Sequence, residues 1–307
     1  MSGNNEIRAR LTEWMKANGL SLARAGKKLG YNEATVSRYL AGTLTGDVEA
    51  FERVAEEVME ADSRKRSWQS YYIQTGGTQK TITLLDLIRS ACDVGLITGA
   101  AGLGKTTACN QYAGENKSAI MITLSEGHGD NWTIIRKLFD SLGVRNWSRR
   151  SGEDSRGEFV VNRLRNSERL IIVDNAQRAT LSGLRWLFDL HDSAGVPVAL
   201  IGNPDVLCKV ASSDQLSSRI GLRMDIGEKG VGWVEDAADR ILDAMWPKAP
   251  NEVRLLARES ARQPGHLRRL VKQLRIAIRL CEAAAWKSKQ AAAFVEARTL
   301  IGTPEEE

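Results

Sequence analysis

The sequence predicts an α/β fold: a parallel five-stranded sheet covered by helices, with a small all-helical unit before it and a helical segment after it. Three observations predict this. Short apolar runs recur at Val94–Thr98, Ala119–Leu124, Leu170–Val173 and Val198–Ile201, and Leu222, Met224 and Ile226 alternate as a fifth strand would. Uninterrupted apolar runs of this length suit strands buried on both faces, and the helical stretches between them make the sheet parallel. On either side of this block, apolar residues repeat at helical spacing instead.

The first segment places Ile7, Leu11, Trp14 and Met15 on one helical stripe. Two short helices are expected at Ser21–Leu29 and Asn32–Ala41, joined at Gly30, where a positive φ is cheap. Gly26 falls where the two helices cross, and Val36 and Leu40 are read as facing inward. A fourth helix carries Phe51, Val54, Ala55, Val58 and Met59 and is expected to end near Asp62. The order helix, tight turn, helix reads as a helix-turn-helix. Asn32, Thr35, Ser37 and Arg38 on the second of these helices are the candidate contacts to base edges or phosphates of double-stranded DNA. A three-helix module that binds no DNA fits the same pattern.

Residues 64–78 are polar and glycine-containing and read as a linker. The expected divisions are therefore 1–63 for the helical unit, 64–78 for the linker, 79–230 for the α/β core and 231–307 for the helical end.

The segment Gly99-Ala-Ala-Gly102-Leu-Gly104-Lys105-Thr106 fits G-x-x-x-x-G-K-[ST], with a predicted strand before it and a helix after it. Glycines let the backbone wrap phosphates with amide hydrogens pointing inward, and the following helix adds the positive end of its dipole. The expected ligand is ATP with Mg2+, held by Gly99, Gly102, Leu103, Gly104, Lys105, Thr106 and Thr107. Lys105 would reach the phosphates, and Thr106 would hold the metal ion. Asp174 ends an apolar strand and is the second candidate metal contact. The next residue is Asn175, which can orient a water but cannot take its proton. Asn203 ends the strand Val198–Ile201 and is a candidate to touch the γ-phosphate or its water. Arg219 is the candidate to complete a neighbouring subunit's site, with Arg223 as runner-up. Arg268, in the helical end, is the candidate to sense the γ-phosphate.

Charge is distributed unevenly. The net charge is +5, yet residues 262–289 hold eight basic residues and one acid, Glu282. Arg268, Lys272, Arg275 and Arg279 form a stripe that suits phosphate contact, an acidic partner or a solvated face alike. Arg145, Arg149 and Arg150 form a second basic group, in a polar loop, and are candidate DNA contacts. The cysteines at 92, 109, 208 and 281 have no metal-ligand spacing. No run approaches the roughly eighteen apolar residues that span a bilayer, and the first residues lack a signal core, so a cytoplasmic protein with no membrane partner is expected.

These pieces in this order resemble the transposition regulator B proteins of phage Mu and Mu-like phages. The resemblance is carried by the Thr35–Asp47 region, Tyr72-Ile-Gln-Thr75, the phosphate loop, Met121-Ile-Thr123, Arg149–Arg150, Ser218-Arg-Ile220 and Pro264-Gly-His-Leu-Arg268. It implies a helix-turn-helix domain, an AAA+ P-loop ATPase core and a C-terminal helical lid. It also implies ATP-dependent, largely non-specific binding to DNA as a helical homo-oligomer. Such a protein delivers target DNA to a DDE-type transposase and stimulates strand transfer, in a bacterial host cytoplasm. The chain departs from the family's usual Asp-Glu at Asp174-Asn175, which predicts weak hydrolysis. A helicase-loader-like replication ATPase and an ATP-switched transcriptional regulator are the alternatives.

Overall fold

The computed structural model describes residues 5–68, 72–143, 153–227, 232–283, 286 and 288–302. The chain divides into two compact units, Met1–Tyr71 and Tyr72–Glu307.

The first unit contains α1 (Asn5–Ala17), α2 (Leu22–Leu29), α3 (Glu33–Leu40) and α4 (Val48–Trp68). Helix α1 buries Ile7, Leu11, Trp14 and Met15, as its periodicity predicts. The Ser21 hydroxyl caps α2, and Gly30 ends it at a φ of 76°. Asn32 then caps α3 by accepting from the Thr35 N–H at 2.8 Å. A Cβ on Gly26 would lie 2.7 Å from the Tyr31 carbonyl oxygen, so only glycine allows the turn to fold back this closely.

Val36 is fully buried, but its inward companion is Tyr39; Leu40, expected inside, is only half-buried. The Tyr39 ring packs 4.4 Å from that of Phe51, and its hydroxyl donates to Glu52 at 2.8 Å. Burial, reinforced by that carboxylate, pushes the tyrosine pKa up. Helix α4 continues past Asp62 to Trp68, into the expected linker. No glycine or proline interrupts residues 48–68, and Glu, Ala, Lys and Arg favour helix. Asp62 ties the unit together, accepting from Trp14 Nε1 at 3.2 Å and Lys28 Nζ at 2.6 Å.

The second unit opens with α5 (Gly76–Ala91), β1 (Val94–Thr98), α6 (Lys105–Glu115), β2 (Ala119–Thr123), α7 (Asn131–Ser141) and α8 (Glu153–Leu164). It continues with β3 (Leu170–Asp174), α9 (Leu181–Ala194), β4 (Val198–Ile201), α10 (Asp205–Ala211), α11 (Asp214–Ser217) and β5 (Leu222–Asp225). Four helices finish it: α12 (Gly232–Met245), α13 (Asn251–Arg262), α14 (His266–Glu282) and α15 (Gln290–Ile301).

The five strands pair in the order β2-β3-β4-β1-β5, all parallel. Their side chains alternate between two cores. Val94, Leu96, Ile171, Val173, Val198 and Leu200 face α7, α8 and α9. Ile97, Ile172, Ala199 and Ile201 face α5, α6 and the C-terminal helices. Truncating one of the fully buried strand residues, such as Leu200, to alanine should cost about 2–5 kcal/mol.

Helix α5 begins at Gly76, inside the segment 64–78 expected to be linker. Two glycines in its first turn are tolerated because Thr75 and Thr78 cap it reciprocally: the Thr75 hydroxyl accepts from Thr78 N–H at 3.2 Å, and Thr78 Oγ1 accepts from Thr75 N–H at 2.8 Å. The smallness of Gly77 is required by packing, since a Cβ there would lie 2.6 Å from the Trp233 ring. The order of strands places the carboxyl ends of β3, β4 and β1 side by side, and this edge carries the polar loops of interest.

Candidate functional site

The loop after β1 turns through positive φ at Gly99 (151°), Gly102 (92°) and Gly104 (90°). These angles, unfavourable for side-chain-bearing residues, bring the chain from the strand to the start of α6 in six residues, 99–104. Leu103 is buried beneath the loop and anchors it, while Thr107 lies exposed on the first turn of α6. Lys105 folds back over the loop, donating to the Gly99 carbonyl at 2.6 Å and the Ala100 carbonyl at 2.9 Å. Thr106 Oγ1 donates to the Asp174 carboxylate, 3.0 Å from Oδ2 and 3.2 Å from Oδ1. The structure thus brings together the phosphate loop and the acid at the end of β3, which lie 68 residues apart.

The electrostatics are incomplete in a definite way. Burial pulls the Lys105 ammonium below its ordinary pKa; Asp174 and Asp225 oppose that shift, and Arg268 adds to it. Burial pushes the Asp174 carboxyl above its ordinary value, against the Thr106 hydrogen bond, the Asn175 N–H, Lys105 and Arg268. A cation beside Asp174 and phosphates beside Lys105 would each favour the charged form of its neighbour. The paired oxygen donors Thr106 and Asp174 are hard ligands of the kind Mg2+ takes. The residues therefore fit a nucleotide with Mg2+.

The C-terminal helices close over the loop. A Cβ on Gly102 would lie 2.0 Å from the Gly265 carbonyl oxygen and 3.3 Å from Arg268 Cβ. Arg268 is exposed, at the start of α14 beside the phosphate loop, and its charge reaches both Lys105 and Asp174. Its neighbour Arg269 is buried instead, with Nη2 directed to the Gly302 carbonyl at 3.4 Å. Of the basic stripe, Lys272 and Arg279 are exposed and Arg275 is half-buried.

Asn175 adopts a left-handed conformation (φ 58°), and its Nδ2 donates to the Leu124 carbonyl at 3.3 Å. Asn203 stands two residues beyond β4, between β3 and β1. Arg219 is not part of the same cluster. It lies before β5, at the amino-terminal edge of the sheet, paired with Asp192 at 2.8 Å and Asp189 at 3.6 Å on α9. Arg223 is pinned to its own chain, with Nη2 donating to the Ser217 carbonyl at 2.6 Å.

Asp225 is a site residue the sequence did not single out. It ends β5, accepts from Thr98 Oγ1 at 3.3 Å and from the Gly227 N–H at 2.7 Å, and supports the Lys105 charge. Its position at the carboxyl end of the alternating fifth strand was the available signal. Trp233 carries no such signal in the sequence; it covers Gly76 and Gly77 beside the loop. In the first unit, Ser37 and Arg38 are exposed on α3, whereas Asn32 Oδ1 and the Thr35 hydroxyl are engaged with each other at 2.8 Å. Arg145, Arg149 and Arg150 lie outside the described residues. Among the described residues no group of histidine, cysteine and acidic side chains forms a metal site, and no helix is long and apolar enough to cross a membrane.

Fold and site together define an AAA+ P-loop ATPase domain, and residues 88–209 match the AAA domain family. The fold is similar to the Aeropyrum pernix ORC2 protein, at a TM-score of 0.56 and 18% identity over 76% of this chain and 70% of that one. It is similar to Cdc6p from Pyrobaculum aerophilum, at 0.56 and 15% over 78% and 74%.

The chain is a relative of the Mu-type transposition B proteins. It is 24% identical to the ATP-dependent target DNA activator B of Escherichia phage Mu over 281 residues, covering 89% of this chain and 88% of that protein. The counterpart of Escherichia phage D108 is 25% identical over the same length and shares. The Mu-like prophage FluMu DNA transposition protein B of Haemophilus influenzae is 24% identical over 204 residues, 66% of this chain and 70% of that protein.

Proposed function

We propose that this protein is an ATP-dependent target-DNA activator: loaded with ATP and Mg2+, it polymerises on double-stranded DNA with little sequence preference and presents that DNA to a DDE-type transposase. The observation that carries the reading is the joined site of Lys105, Thr106 and Asp174 with Arg268 at its rim, in a chain aligned along nearly its whole length with the phage activators. ATP supplies the phosphate chain that the loop amides, Lys105 and Arg268 bind. Thr106 and Asp174 hold the metal ion. Arg268 couples the bound phosphates to α14 and so to the position of the lid.

Arg219 supports assembly. In register, Gly95 pairs with Leu222 and Thr98 with Asp225, so Arg219 lies at the opposite end of β5 from the phosphate loop. The strand Leu222–Asp225 separates those ends by about 10 Å. A site that needs this arginine must take it from a second copy of the chain. DNA contact is assigned to Arg149 and Arg150 of the core, with Arg145 nearby, and to Ser37, Arg38, Asn32 and Thr35 of the helix-turn-helix as a second contact. Hydrolysis is slow, because Asn175 offers no general base.

The test is reconstituted strand transfer with a DDE-type transposase of the Mu class and its donor DNA. Stimulation that needs ATP and disappears in Lys105→Ala is expected. Stimulation that is absent, or indifferent to ATP, would overturn the reading.

A further inference from the structure

Arg219 sits on a short segment whose main chain is held on both sides. Its own N–H donates to the Leu216 carbonyl at 3.3 Å, the Ile220 N–H to the Ser217 carbonyl at 3.4 Å and the Gly221 N–H to the Val94 carbonyl at 3.1 Å. Ile220 is buried beside it. The backbone is therefore fixed where the arginine leaves it. The side chain needs a restraint of its own, because it is long and 33% exposed.

Two carboxylates on α9 supply that restraint. Arg219 Nη1 lies 2.8 Å from Asp192 Oδ2 and 3.6 Å from Asp189 Oδ1. These acids are badly placed for the helix that carries them. They share one face of α9, where like charges repel, and Asp192 is in the last turn, where the helix dipole disfavours a negative charge. The pairs are also too exposed to hold the fold together, with 48% of the Asp192 side chain and 68% of that of Asp189 open to solvent. Among the described residues, Arg219 is the cation with which either acid is paired. What the two acids gain together is a hold on this guanidinium.

Both contacts are made through Nη1, and Nε and Nη2 make no hydrogen bond among the described residues. A guanidinium is a planar fork of N–H groups, so one nitrogen can be anchored while the edge formed by Nε and Nη2 stays open to a phosphate. We propose that Asp189 and Asp192 are positioning residues for the neighbouring subunit's ATP site: they anchor Arg219 by Nη1 and set its open edge before the second subunit docks. This rests on the reading that Arg219 acts in trans. An unanchored arginine would have to be ordered at each docking, whereas the acids order it in advance. Because the pairing is part-exposed, the guanidinium can still adjust at little cost when it meets the phosphates.

The full chain, assembled on DNA with ATP and Mg2+, is the system to test, with turnover counted per intact phosphate loop. Asp189→Ala combined with Asp192→Ala should lower kcat about 3- to 10-fold, the factor that ordering one long side chain costs. Binding of a non-hydrolysable ATP analogue should not change and the melting temperature should not fall, since both acids lie at the opposite edge of the sheet from the phosphate loop. Asp192→Glu keeps the charge and should retain most of the turnover. Mixing gives a readout that a merely structural role would not move. Mixed with Lys105→Ala subunits, the double variant receives a properly held arginine at some of its loops, so turnover should rise. Mixed with Arg219→Ala subunits, it receives a loose arginine or none, so turnover should fall further.

Unchanged kcat in the double variant would overturn the proposal. So would a raised kcat, which would mean that the acids restrain the arginine instead of aiming it, and so would the same response in both mixtures. If the double alanine variant does not fold, Asp189→Asn with Asp192→Asn replaces it, keeping shape without charge, and the same outcomes decide. Arg219→Ala mixed with Lys105→Ala is the control. If that mixture forms and stays inactive, the reading of Arg219 in trans fails, and the positioning role with it. Recovery there, with normal turnover in the acid variant, would overturn the positioning role alone.

Discussion

Gly102 and Gly265 approach so closely that a Cβ on the first would stand 2.0 Å from the carbonyl oxygen of the second. The phosphate loop and the start of α14 are thus in direct contact, and Gly102 also has a φ of 92°. Gly102→Ala should therefore fail on two counts: backbone strain of about 1–3 kcal/mol and a clash that only displacement of the loop or α14 can relieve. Nucleotide titration should show much weaker ATP binding, with a lowered melting temperature. Binding and melting like those of the unsubstituted chain would mean that the loop and α14 separate at no cost.

Asp174 should stabilise ATP binding at the expense of the empty fold. Burial raises its pKa above the ordinary 3.8, so the folded chain holds that proton more tightly than the unfolded chain. The favourable contribution is complete below the unfolded value and is lost as pH rises through the folded one. At neutral pH the ionised carboxylate is a cost. Asp174→Asn should raise the melting temperature of the nucleotide-free protein at neutral pH, by about 2–4 °C for each kcal/mol relieved, and weaken ATP binding in Mg2+. A lower melting temperature at neutral pH would refute this.

Asn175→Glu should raise ATP turnover. An oriented general base contributes about 10²–10⁴-fold, and the low end is expected because an asparagine can itself orient a water. The position has a φ of 58°, and the substitution also forfeits the bond to the Leu124 carbonyl, so a small loss of thermal stability should accompany the gain. Turnover unchanged or lowered, with ATP binding intact, would show that basicity at this position is not what limits hydrolysis.

Arg219 should act on a neighbour. Its pairing with Asp189 and Asp192 is part-exposed, so its release should cost little. Arg219→Ala and Lys105→Ala subunits should each be inactive alone and recover ATPase activity when mixed, since some interfaces then join an intact loop to an intact arginine. Mixed assemblies that form but stay inactive would remove the role in trans.

The sequence made some elements plain for physical reasons. Strands buried on both faces read as apolar runs, so Val94–Thr98 and Val198–Ile201 coincide with β1 and β4. Ser21, Gly30 and Asn32 marked the ends of α2 and α3 because capping chemistry is local. The start of α5 was hidden, because Gly76 and Gly77 read as a turn until Trp233 is seen packed on them. The extension of α4 was hidden by its polarity. Within the site, Thr106 and Asp174 were legible from motif and strand end. The Arg219 pairing and the contact of Gly102 with Gly265 depend on residues brought together only by folding.

DNA binding tests the central claim most directly. The protein would be titrated onto two duplexes of equal length and unrelated sequence, with and without ATP and Mg2+, at several salt concentrations, and imaged at saturation. The account predicts filaments on both duplexes with equal affinity, only with ATP, and none with Lys105→Ala. It also predicts that Arg149→Ala combined with Arg150→Ala weakens binding to both duplexes. The log–log salt slope should then fall by about one for each phosphate that those arginines neutralise. Binding that ignores ATP and selects one duplex through the exposed face of α3 would contradict it.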